Sequence, residues 1–152
     1  MVLIFGGAYQ GKKEYVINKY MITDAQIYNC ENPDKYRDLS DGGENGGAAE
    51  LTDAAGKFPA LDHLEAWILR GIREKRNPED ELQAALKSGC LDEKIVICAD
   101  ITQGVVPIDA EMRKWRDQTG KCLQLLASRA DEAVRVYCGL AETVKAAEKP
   151  EV

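Results

Sequence analysis

The sequence predicts an α/β fold of three layers, with a mainly parallel sheet between flanking helices. Three observations predict it. The apolar runs at residues 2–5 and 94–98 have the length of strands and no polar alternation, as strands buried on both faces do. Segments with apolar residues at helical spacing lie between such runs. A glycine-rich turn, residues 6–11, separates the first run from the first helical segment.

Along the chain, residues 2–5 form a strand ended by glycines, and residues 12–21 a helix with Val16, Ile17 and Tyr20 on one face. Residues 24–30 read as a second strand through Ala25, Ile27 and Tyr28. The pattern then fails over residues 31–57. Asn32-Pro33, the run DLSDGGENGG and Gly56 predict a long mobile loop, because such glycine and acid density builds no core. Residues 58–62 resume as a strand, and residues 63–74 as a helix with Leu64, Trp67, Ile68 and Ile72 at helical spacing. Pro78 opens the next helix, its acids Glu79, Asp80 and Glu81 suit the positive end of the helix dipole, and Gly89 stops it. Strand 94–98 is followed by the loop ADITQGVVP and by an amphipathic helix over 109–130 with Asp109 as its N-cap. Residues 133–138 form a last strand, on which 140–145 pairs back as a hairpin, and residues 146–152 fray.

The 152 residues are enough for one domain with one core, and 45% apolar with 30% charged residues is ordinary for a globular protein. The net charge of −6 argues against an extended nucleic-acid surface, which needs a basic face. No stretch reaches the roughly 18 continuous apolar residues of a membrane span. The first residues carry no signal-peptide pattern. The five cysteines, Cys30, Cys90, Cys98, Cys122 and Cys138, are odd in number and include no C-x-x-C pair. They read as reduced thiols of a cytoplasmic protein, with Cys98 and Cys138 as core residues at the ends of apolar runs.

The turn itself carries chemistry. Gly6, Gly7, Ala8, Tyr9, Gln10, Gly11 and Lys12 satisfy G-x-x-x-x-G-K between a strand and a helix. Glycines let backbone amides turn inward as an anion nest, the helix N-terminus adds free N–H groups, and Lys12 reaches the outer phosphates. The fold class is therefore that of the P-loop NTPases (RecA-like), with one nucleotide-binding domain over residues 1–152. Lys13 departs from the motif, which has Ser or Thr there to ligate Mg²⁺. An ammonium ligates no metal. Either another carboxylate compensates, or Lys13 replaces part of the metal's charge, or phosphoryl transfer is lost. Asp62 and Asp100 end strands and are the candidate metal-site carboxylates, since ligands of such sheets bind at strand carboxyl ends. The alternative for both is a role as caps.

ITQGVVP at 101–107 and RKWRDQTGKCLQLLASRADEAVRVYCGL at 113–140 resemble the bifunctional adenosylcobinamide kinase/adenosylcobinamide-phosphate guanylyltransferase family. Gly104, Val106, Pro107, Trp115, Arg116, Asp117, Gly120, Gln124, Ala130 and Asp131 stand at matching places. The loop GGAYQGKK is similar to that family's G-G-x-x-S-G-K-S, and DHLEAW at 62–67 to its Asp-Cys-Leu-Thr-x-Trp. The resemblance covers most of the chain except residues 31–57. It implies a place in cobalamin biosynthesis, GTP or ATP bound through residues 6–13, and adenosylcobinamide as the partner substrate. It also implies Lys12, Asp62 and Asp100 as catalytic groups and a homo-oligomer. The departures fall on chemistry. The family's guanylylated His, expected soon after the second strand, has no counterpart, and the single histidine is His63, read as a helix-start or packing residue rather than a relocated nucleophile. Gln10, Lys13, Ala99, Asp100 and Leu123 replace polar residues of the family pattern. The resemblance therefore implies a kinase-like protein without guanylyl transfer, or an inactive relative kept as a nucleotide-binding or assembly module.

Overall fold

A computed structural model describes residues 1–39 and 46–148. The chain runs β1 (Val2–Gly6), α1 (Lys12–Tyr20), β2 (Ile27–Asn29), α2 (Gly47–Lys57), β3 (Ala60–Asp62) and α3 (Leu64–Arg73). It continues with α4 (Pro78–Ser88), β4 (Ile95–Ala99), α5 (Ala110–Arg129), β5 (Glu132–Tyr137) and β6 (Leu140–Lys145). Short 3-10 turns occupy Asp24–Gln26 and Pro33–Leu39. The described strands form one sheet in the order β2-β3-β4-β1-β5-β6, all parallel except β6, which pairs antiparallel with β5. This is the α/β, P-loop-like architecture that the sequence predicts.

Continuous apolar strands need cover on both faces, and the packing supplies it. Leu3, Leu61, Val96 and Cys98 meet Leu51, Trp67, Ile68, Leu82 and Leu126 from α2 to α5. Ile4, Ile97, Val134 and Val136 face the other way, onto Val16 of α1. The caps behave as their chemistry dictates. Asp109 accepts a hydrogen bond from the Met112 N–H, Asn77 accepts one from Asp80 with Pro78 in the first turn, and Gly89 closes α4 at φ 76°.

Three expectations need correction. Residues 31–57 are not one long loop: the 3-10 turn Pro33–Leu39 and the helix α2 lie inside them. Residues 40–45, where the loop reading was strongest, lie outside the described residues, as do residues 149–152 of the frayed tail. α2 forms because Leu51, Ala54 and Ala55 recur at helical spacing and are buried in the core. A polar lock adds to this: the Arg70 guanidinium donates to Glu50 Oε2 at 2.6 Å and to the Cys30 carbonyl at 2.7 Å, and the Tyr28 hydroxyl donates to Glu50 Oε1 at 3.0 Å. The second strand is shorter than 24–30, because a Thr23/Gln26 capping box winds its first residues into a turn. Cys138 is exposed at φ 51° in the turn between β5 and β6, whereas Cys98 is buried as expected.

Candidate functional site

Parallel pairing aligns the carboxyl ends of the central strands, and the sequence-derived site residues gather there. Gly6 sits opposite Ala99 in the β1–β4 register, and the Asp100 N–H donates to the Gly6 carbonyl at 2.8 Å. The backbone at Gly6 has φ 146°, and a Cβ there would collide with the Val136 carbonyl oxygen of the adjacent strand β5. Only glycine lets the loop leave the sheet at this point. Tyr9 projects fully into solvent at φ 57°, and Gly11, at φ 90°, starts α1 without a side-chain cap. The first-turn amides of α1 therefore have no side-chain cap, the arrangement in which a helix N-terminus can take an anion.

The loop is braced from the other end of the chain. The Cys138 N–H donates to Gln10 Oε1 at 2.7 Å, and the Gly139 N–H donates to the Gln10 carbonyl at 2.9 Å. The two lysines are both engaged. Lys12 Nζ donates to the Gly7 carbonyl at 2.6 Å, folded over its own loop. Lys13 forms an ion pair with Asp24, in the turn before β2. Its hydrogen bond to Asp24 raises the Lys13 pKa above the ordinary lysine value and lowers that of Asp24.

Beside the loop, β3 ends in Asp62 and β4 is followed by Asp100. Asp62 is buried and its Oδ1 accepts the His63 N–H at 2.7 Å. Burial pushes its carboxyl up, with His63 and Lys13 pulling in the opposite direction. His63 has a left-handed backbone, φ 57°, as α3 begins. Its ring lies between acids, with Nδ1 at 3.0 Å from Glu65 Oε1 and Nε2 at 3.7 Å from Asp62 Oδ2. Glu65 is itself fixed, its Oε2 accepting the Ala99 N–H at 2.8 Å, while Trp115 Nε1 donates to the Glu65 carbonyl at 2.7 Å. Burial alone would push the Glu65 carboxyl up, yet the hydrogen bonds from His63 and Ala99 hold it below the ordinary range. The contact with Glu65 raises the His63 pKa. Asp100 serves its own loop: Oδ1 accepts from the Thr102 N–H at 2.9 Å and from its hydroxyl at 2.5 Å, and Oδ2 from Gln103 at 3.4 Å. Next to it, a groove of about 960 Å³ runs between β1 and α5, lined by Leu3, Phe5, Asp100, Arg113, Arg116 and Gln124 among others.

Mg²⁺, which phosphate loops commonly take, demands several oxygen donors in octahedral geometry. These residues do not fit it. An ammonium stands where a hydroxyl would ligate, Asp100 spends both oxygens on its loop, and Asp62 faces His63. Among the described residues no group of three or more His, Cys, Asp or Glu side chains is placed to hold a metal ion.

The structure gathers the sequence-derived candidates, residues 6–13, Asp62 and Asp100, at the carboxyl ends of β1, β3 and β4. Sequence reasoning missed Glu65, which an acid two positions after the chain's single histidine could have flagged. It missed Asp24 too, since a capping box announces a turn but says nothing of a partner on another element.

Fold and site together define an α/β protein with a P-loop-like fold and its candidate site residues at the carboxyl ends of the strands. The chain belongs to the cobinamide kinase/cobinamide phosphate guanyltransferase family, whose model matches residues 45–144. That span contains Asp62, His63, Glu65 and Asp100 and starts after the glycine loop, whose role rests on its own geometry. Membership carries a function of that type in cobalamin biosynthesis. No curated protein matches the chain. No helix among the described residues is long and apolar enough to cross a membrane.

Proposed function

We propose that the chain binds GTP or ATP through residues 6–13 and acts as a cobinamide kinase without the guanylyl-transfer step. The observation that carries this is the loop between β1 and α1. Gly6 is forced to be glycine by Val136, the start of α1 has no side-chain cap, and Lys12 lies over the loop with nothing but a backbone carbonyl to release. Phosphoryl transfer needs positioning and charge more than covalent participation of the protein. The γ-phosphoryl group would pass to the hydroxyl oxygen of the aminopropanol arm of the acceptor, which has room to approach along the α5 groove. Guanylyl transfer in this family, by the resemblance above, uses a histidine after the second strand, and the chain's single histidine stands elsewhere, at His63. The protein incubated with cobinamide and GTP, once in Mg²⁺ and once in EDTA, should yield phosphocobinamide and no guanylylated product.

A second reading is a catalytically inactive relative that keeps the fold as a nucleotide-binding or assembly module, also as a homo-oligomer. The engagement of Asp100 by Thr102 and of Gln10 by the hairpin turn favours it. Turnover to phosphocobinamide removes this reading. A Lys13→Ser variant that gains turnover would instead mark the wild-type site as damaged.

A further inference from the structure

The disagreement between this loop and Mg²⁺ has a chemical resolution in Lys13. Lys13 is the second residue of α1, directly after the glycine loop, and acids surround its ammonium. Asp24 holds it in an ion pair, and Asp62 and Glu14 add weaker attraction. Asp24 is a fixed post: it opens the Asp24–Gln26 turn, where the Thr23 N–H donates to Gln26 Oε1 at 2.9 Å and the capping box closes. Lysine, in contrast, is a flexible arm with three donors. The pair is open to water, with 42% of the Lys13 and 60% of the Asp24 side chain exposed, so the lysine is held weakly.

We propose that Lys13 stands in for the metal: this loop takes a nucleoside triphosphate as the metal-free anion, with Lys12 and Lys13 both on the phosphates, and Asp24 is the positioning residue that holds Lys13 while the loop is empty. The proposal rests on the nucleotide-binding reading above. One exposed carboxylate competes poorly with a polyphosphate carrying several charges, so the arm transfers when the ligand arrives. Lys12 makes the equivalent exchange, giving up the Gly7 carbonyl. A divalent ion brought in with the nucleotide would meet the Lys13 ammonium at like charge, and so gains nothing here.

The test is calorimetric titration of GTP into the full chain, in EDTA and in Mg²⁺, for the wild type and three variants. The wild type binds with affinities within about threefold of each other in the two buffers, since Lys13 already supplies the local charge. Lys13→Ser weakens binding in EDTA by about tenfold, and Lys13→Arg, which keeps the charge, retains most of it. Asp24→Asn tightens binding in EDTA by about threefold, the scale on which an exposed pair competes. The melting temperature checks that each variant is folded, and a merely structural Lys13–Asp24 contact would move that temperature without altering the EDTA-to-Mg²⁺ ratio. Wild-type binding at least about tenfold tighter in Mg²⁺ than in EDTA overturns the proposal while leaving nucleotide binding intact. An unaffected Lys13→Ser variant, or weaker binding by Asp24→Asn, overturns it too. No binding of GTP in either buffer overturns both the proposal and the reading beneath it.

Discussion

At the scale of single residues, His63 shows how much a strand end can concentrate. Its backbone is left-handed, a conformation that costs most residues other than glycine, asparagine and aspartate. Its ring bridges Glu65 and Asp62. Because the Glu65 contact raises the His63 pKa above its ordinary 6.5, the protonated ring is favoured in the folded state. That contribution is complete below the unfolded value and is lost as pH rises through the folded one. Asparagine tolerates the same backbone without the charge. The stability difference between wild type and His63→Asn, read from urea midpoints, should therefore be larger near pH 6 than near pH 8.5, by less than about 1 kcal/mol because the ring is half exposed. A difference independent of pH would contradict the arrangement. The sequence placed His63 correctly as a helix-start residue. The spacing of His63 and Glu65 could have flagged the pair, but the ring's approach to Glu65 depends on a backbone angle that no residue pattern announces.

At the scale of elements, α2 is where sequence and structure part. Its residues, GAAELTDAAGK, begin and nearly end on glycine, and of its five buried positions, Gly47, Glu50, Leu51, Ala54 and Ala55, only Leu51 is a large apolar residue. Small residues let a helix lie close, and here Ala54 and Ala55 reach the core beside Phe58 and Leu82. The information was in the spacing of Leu51, Ala54 and Ala55, but composition hid it. Strand and cap signals were far more legible: the runs around residues 2–5 and 94–98, Asn77-Pro78, Asp109 and the β5–β6 hairpin all lie where local chemistry puts them. Leu51 is fully buried, so Leu51→Ala should destabilise the protein by about 3 kcal/mol in urea unfolding. A loop residue would cost less than about 0.5 kcal/mol, and that outcome would return the segment to the loop the sequence suggested.

At the scale of the whole molecule, the carboxyl ends of the central strands organise the candidate site. The parallel register sets Gly6 beside Ala99 and carries Asp100 next to the glycine loop, so residues far apart in sequence become neighbours without any further device. That is why the proximity of the candidate residues was readable in the sequence: strand ends and a strand–loop–helix motif suffice to place them together. The partners of the charged groups were not readable, since Lys13 with Asp24 and Lys12 with Gly7 depend on how α1 meets its neighbours in three dimensions. The family match covers residues 45–144, so the departures at Ala99, Asp100 and Leu123 fall inside it and those at Gln10 and Lys13 outside it.

The central claim is that the β1–α1 loop holds a nucleotide. Titrating GTP into wild type and into a Lys12→Ala variant tests it most directly. Saturable binding at one site per chain, weakened by about tenfold or more in Lys12→Ala, is the predicted result. Absence of binding to the wild type, or equal binding by both proteins, would contradict it.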